Sequence, residues 1–107
     1  MAVHSFNPLQ DGVYDTEADP DVYLTEAQVE SAAAKVSCDT EKDTVARRYV
    51  FKIEEAQRNQ CLGRISSAEN ARLCRELNEK FREKFGTWIY QSGFARKFYA
   101  VFGAGER

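Results

Sequence analysis

Apolar residues recur at helical spacing in four stretches of the chain, and each stretch opens on a residue suited to capping. Val29, Ala32, Ala33 and Val36 fall at i, i+3, i+4 and i+7, a narrow stripe on one helical face. Thr25-Glu26-Ala27-Gln28 stands ahead of it as a capping box, flanked by Leu24 and Val29 at the staple positions. Glu26 in the first turn suits the helix dipole, and a stop is predicted near residues 37–39. The small side chains of this stripe let a neighbour approach closely.

A second helix is predicted from Asp39 or Thr40 to Leu62, with Gly63 as the residue after its end. Its stripe reads Ala46, Tyr49, Val50, Ile53, Ala56 and Gln57. Residues 47–53 also satisfy strand alternation, with Tyr49, Phe51 and Ile53 in phase. The flanks (41–47 and 54–60) are strong helix formers without a turn residue, so helix is preferred, and Phe51 is then left off the stripe.

Ser66-Ser67-Ala68-Glu69 forms a second capping box. The third helix is expected to run to about Phe85, stopped by Gly86, with Ala71, Cys74, Leu77, Phe81 and Phe85 inward and a Glu76–Lys80 pair outside. The last segment carries the aromatic mass, eight of thirteen aromatic residues lying between Phe81 and Phe102. Phe94, Phe98, Val101 and Phe102 share a helical face that Ser92 can cap and Gly103 can end. Gly93 is costly inside a helix, roughly 1 kcal/mol relative to Ala, so it belongs in the first turn and 88–91 forms a separate turn. Eight aromatics exceed what so small a bundle is expected to cover, leaving some for a partner or for a second copy of the chain.

The expected fold is therefore all-α: a small bundle of three to four helices with an acidic, irregular N-terminal arm. Residues 1–24 are assigned to the arm and 25–107 to the helical domain, one globular unit overall. Pro8, Gly12 and Pro20 break the arm, yet Val3, Phe6, Leu9, Val13, Tyr14, Val22, Tyr23 and Leu24 make it too apolar for a plain solvated tail.

Charge sharpens this division. The formal charge of the 107 residues is −2, but seven carboxylates and no base precede Lys35, and fifteen bases against ten acids follow from there. Such a front suits a basic, partly apolar protein surface. The candidate contact residues are Asp11, Tyr14, Asp15, Glu17, Asp19, Asp21 and Tyr23. A competing reading takes Arg47, Arg48, Lys52, Arg58, Arg64, Arg72 and Arg75 as a nucleic-acid face across a helix–turn–helix outline. That outline has poor detail: Asn59 and Glu69 stand where a small and an apolar residue are usual.

Candidate chemistry is sparse. The single histidine, His4, lies in the arm, a poor place to hold a catalytic imidazole. Cys38, Cys61 and Cys74 are widely spaced, with no C-x-x-C, and read as free thiols of a reducing, cytoplasmic setting. Asp15, Glu17, Asp19, Asp21 and Glu26 follow the spacing of a calcium loop, but Pro20 occupies the position that needs glycine. No enzymatic activity, metal or cofactor is expected. Neither a secretory leader pattern nor a membrane-length apolar run occurs, so no membrane association is expected either. The functional expectation is a small non-enzymatic interaction module (adaptor, inhibitor or regulator) that uses the arm and the aromatic C-terminal face, with nucleic-acid binding second.

Overall fold

The structure, a computed structural model, describes residues 23–103. These form four α-helices: α1 (Glu26–Ala34), α2 (Glu41–Cys61), α3 (Ser67–Phe85) and α4 (Gly93–Gly103), with a 3₁₀ turn at Ile89–Gln91 ahead of α4. Among the described residues there is no strand, and the ambiguous 47–53 stretch is helix.

Most local signals act as the sequence requires, but α1 stops at Ala34, short of the predicted 37–39, and of the second capping box only the Ser66 half is made, Glu69 pairing with Arg72 instead. Thr25 Oγ1 accepts from the Gln28 amide at 3.1 Å while Gln28 Oε1 accepts from the Thr25 amide at 2.9 Å, so both halves of the first capping box are made. Thr40 and Ser66 cap α2 and α3 through the amides of Asp43 and Glu69. At the end of α2, Gly63 donates to Gln60 O and Arg64 donates to Asn59 O, the paired bonds of a Schellman stop. Gly63 at φ 79° and Gly86 at φ 76° supply the left-handed backbone that side chains with a Cβ disfavour. The α4 N-terminus draws on two elements: Ser92 Oγ accepts from the Ala95 amide, and Asp43 Oδ1 on α2 accepts from the Phe94 amide at 3.0 Å.

The long helix α2 is the centre of the molecule and packs against α1, α3, α4 and the 3₁₀ turn. Its directions relative to its neighbours follow from specific bonds. Asn70 at the start of α3 meets Gln57 near the end of α2, and Lys84 at the end of α3 meets Glu41 at the start of α2, so α2 and α3 are antiparallel. Arg58 donates to Leu24 O at 2.9 Å, which places the entry of α1 beside the exit of α2. Asp43 with Phe94 and Glu54 with Tyr99 make α4 run alongside α2 in the same direction. The core is Val29, Ala32, Ala33 and Val36 under α1, Ala46, Val50 and Ile53 on α2, Phe81 on α3, Ile89, and Phe94, Ala95, Phe98 and Tyr99 on α4.

Several expectations need correction. Ala71 is exposed, and the α3 position facing α2 at that level is Asn70. Its amide has partners on α2, which makes burial of a polar group acceptable there. Glu76 pairs with Arg72 at 3.1 Å rather than with Lys80. Tyr49 is only half-buried, its ring edge-on to Phe81. The aromatic C-terminal segment is mostly interior: Phe81, Phe94, Phe98 and Tyr99 are buried, and Phe85, Tyr90 and Phe102 half-buried. Trp88 alone among the eight is exposed, at 43%, with the Arg82 guanidinium 4.9 Å above its ring. The expected aromatic contact face therefore narrows to the end of α4, where Val101 stands 42% exposed beside Phe102.

Candidate functional site

The sequence-predicted arm residues Asp11, Tyr14, Asp15, Glu17, Asp19 and Asp21 lie outside the described residues, as does the calcium-like spacing apart from Glu26, the first residue of α1. Tyr23 is half-buried, and Leu24 behind it is a core residue. Glu26 and Glu30 continue the acidic front on the exposed side of α1.

The seven residues of the basic face are put to different uses. Arg47, Arg48 and Lys52 are exposed on α2, with the Arg47 guanidinium 4.9 Å over the Phe51 ring. Phe51, left off the apolar stripe, thus finds a cation and a half-buried site. Arg58 is committed to Leu24 O, Arg64 to Asn59 Oδ1 at 3.2 Å, and Arg72 to both Glu69 and Glu76. Arg75 is exposed on α3. The structure leaves four of the seven guanidinium or ammonium groups outward, without assembling all seven into a single free surface.

Among the described residues, two clefts lie beside α1. One, of about 180 Å³, is lined by Glu26, Val29, Phe51, Lys52, Glu55 and Arg58, and mixes both charges. The other, about 260 Å³, runs between α1 and the end of α4. Its wall is the small-residue side of α1 (Ala27, Ser31, Ala32) against Val101 and Phe102, with Lys35 and Gln28 at its edge.

The sequence reading missed the most unusual chemistry, a polar cluster inside the bundle. Glu54 on α2 is wholly buried, and Tyr99 on α4 donates its hydroxyl to Glu54 Oε2 at 2.6 Å. Tyr90, on the 3₁₀ turn, is hydrogen-bonded in turn to Tyr99, and their rings lie 5.5 Å apart. One turn along α2, Gln57 Oε1 accepts from Asn70 Nδ2 at 3.0 Å, and Gln60 Oε1 accepts from the same nitrogen. The Cys74 thiol donates to Asn70 Oδ1 at 3.4 Å, so Asn70 is engaged at both ends of its amide.

Burial is the first influence on every titratable member. It pushes the Glu54 carboxyl up to about 8, against the opposing pull of the Tyr99 hydroxyl and the Arg58 charge. It pushes the Cys74 thiol up to about 11, with the Glu54 charge adding to the effect. Tyr90 and Tyr99 are held well above the usual phenol range, by burial and then by the same carboxylate. In each case burial favours the neutral form of the group. For Cys74 this is the protonated, less nucleophilic form of the thiol. Cys38, also free, is shifted upward too, by burial first. A signal for the cluster existed in the sequence, since Glu54 is in phase with Ala46, Val50 and Gln57 on the buried stripe. A charge on an apolar stripe requires a partner, and nothing local named Tyr99, forty-five residues away.

Among the described residues no group of three His, Cys, Asp or Glu side chains is placed to hold a metal ion, and no helix is long and apolar enough to cross a membrane. Compared with known protein families, curated proteins and solved structures, the chain matches none.

Proposed function

We propose that this chain is a small non-enzymatic interaction module that binds a protein partner of basic, partly apolar surface. The observation that carries this reading is the charge continuity of its front. Seven carboxylates without a base lead up to Lys35, and the last two, Glu26 and Glu30, stand exposed on α1, with Glu26 lining the cleft that also holds Val29 and Phe51. A partner that presents Lys or Arg beside an apolar side chain suits this front, the charges steering encounter and the cleft offering apolar contact. The three free thiols fit a reducing compartment such as the cytoplasm.

Nucleic-acid binding through Arg47, Arg48, Lys52 and Arg75 is the second reading, favoured by their exposure. It is weakened by the internal commitments of Arg58, Arg64 and Arg72. The test compares three proteins in affinity capture from the native source: full-length chain, residues 23–107, and full-length Asp15→Asn/Asp19→Asn/Asp21→Asn. The expected result is a salt-sensitive protein partner held by the first and lost by the other two, with helical circular dichroism unchanged. A partner held equally by all three overturns the reading. A nucleic acid retained more tightly by residues 23–107 replaces it with the second.

A further inference from the structure

The two flanks of α1 differ in charge. Glu26 lines the cleft against α2, and Glu30, one turn on, stands exposed on the same side of the helix. The flank toward α4 is different. Ala27, Ser31 and Ala32 form its wall, and among the described residues that line this groove Lys35 is the charged one. The facing wall is Val101 with Phe102, and Val101 stands 42% exposed. Lys97, one turn before Val101 on α4, is exposed as well. The groove is thus an apolar channel with a cation on each helix beside it. It suits a short segment that pairs a large apolar side chain with a carboxylate.

The chain itself contains such a segment. Val13, Tyr14, Asp15, Thr16 and Glu17 set two large apolar residues next to two carboxylates. Position favours it too, since the described residues begin at Tyr23, just ahead of α1, and the groove starts at Ala27 in the first turn of that helix. The nine residues of α1 rise about 14 Å, a length that five extended residues cover at roughly 3.3 Å each. Residues 18–22, between the segment and Tyr23, include Asp19 followed by Pro20, a pair suited to opening a type I turn. The chain can therefore double back along α1. The residues that follow α4 are a poorer match: Ala104, Gly105, Glu106 and Arg107 offer no large apolar side chain.

We propose that residues 13–17 of the chain's own arm occupy the α1–α4 groove, with Tyr14 between its walls and Asp15 beside Lys35 and Lys97. The segment is tethered a few residues from the helix it lies on, so its local concentration is on the order of millimolar and a weak contact suffices. The contact is autoinhibitory. It engages the same tyrosine and carboxylates that a basic partner would meet, and such a partner must compete with the groove to reach them. The occupancy itself does not rest on the binding role proposed above; only the competition does.

Photocross-linking in the purified full chain tests the occupancy without any partner. Ser31 is exposed on the groove wall, and Ser31→benzoylphenylalanine puts a photoreactive group there. Mass spectrometry is expected to join position 31 to residues 13–17, and to do so within one molecule when isotope-labelled and unlabelled chains are mixed. Should that variant not fold, Val101→benzoylphenylalanine on the facing wall reads the same contact. Lys35→Glu combined with Lys97→Glu is expected to lower the yield by roughly threefold at low salt, and adding Asp15→Lys to restore it. Cross-links to residues 104–107, to a second copy, or to any stretch other than 13–17 overturn the proposal. So does the absence of cross-links, or a yield that ignores both charge changes. The partner capture described above is a separate readout, so an arm seated without a partner and a partner bound without a seated arm are told apart.

Discussion

The two sides of α2 are built on opposite principles. Toward α1 the contact is dry: Val29, Ala32, Ala33 and Val36 lie against the apolar face of α2, and one polar bond, Arg58 to Leu24 O, marks the edge. Toward α3 and the neighbouring part of α4 it is polar inside, with Glu54, Gln57, Asn70, Tyr90 and Tyr99 joined by hydrogen bonds. Dry packing rewards close approach and tolerates sliding, because one methyl group resembles the next. A hydrogen-bonded pair has one geometry, and leaving half of it unmade exposes a polar group to the interior. The α2–α3 pair thus has its register fixed by Asn70 with Gln57, whereas α1 relies on its caps and on the small size of its inward residues. The exposed Lys84–Glu41 bridge, 2.8 Å long, marks the other end of the same pair and adds little to that definition.

The contrast can be broken most severely where the two sides meet. Phe98 is fully buried, lying 4.9 Å from Tyr99 on the polar side and 5.5 Å from Phe102 on the groove side. Phe98→Ala is expected to cost about 3–5 kcal/mol in urea unfolding through lost burial and an unfilled cavity. A cost under about 1 kcal/mol would mean that α4 is not docked as described. On the polar side, Asn70→Ala deprives Gln57 and Gln60 of a donor and Cys74 of an acceptor. A loss of roughly 1–3 kcal/mol is expected from groups left unsatisfied. The smallest effect belongs to the dry side. Ala33→Ser puts a hydroxyl into a fully apolar contact, but that hydroxyl can bond back to a carbonyl of its own helix, and about 1 kcal/mol or less is expected. If Ala33→Ser proves costlier than Asn70→Ala, the division between a tolerant dry side and an exacting polar one fails.

Most helix boundaries were legible because they are local. Thr25, Thr40, Ser66 and Ser92 each accept from a backbone amide three residues ahead, and Gly63 and Gly86 stop helices through a backbone conformation of their own. The apolar stripe of α1 was equally plain, since Val29, Ala32 and Ala33 are buried in it and Val36 just past its end is buried too. On α3 the reading slipped by one position, from Ala71 to Asn70, because hydropathy ranks alanine inward and cannot see an amide with partners waiting on α2. Phe51 looked stray for the same kind of reason: the cation that covers it stands one turn back, an arrangement that periodicity of apolar residues does not register.

By itself, then, the sequence determined where the helices begin and, apart from α1, where they end, which faces are apolar, and that acidic and basic residues are segregated along the chain, because capping, periodicity and formal charge act within a few residues. Only the tertiary structure decided that most of the C-terminal aromatics are interior, that Arg58 is held by the Leu24 carbonyl, and that Glu54 lies under Tyr99. Those outcomes depend on contacts between residues thirty or more positions apart or on which side of a helix a neighbour covers. A buried carboxyl acquires its altered acidity only when another helix removes the water around it.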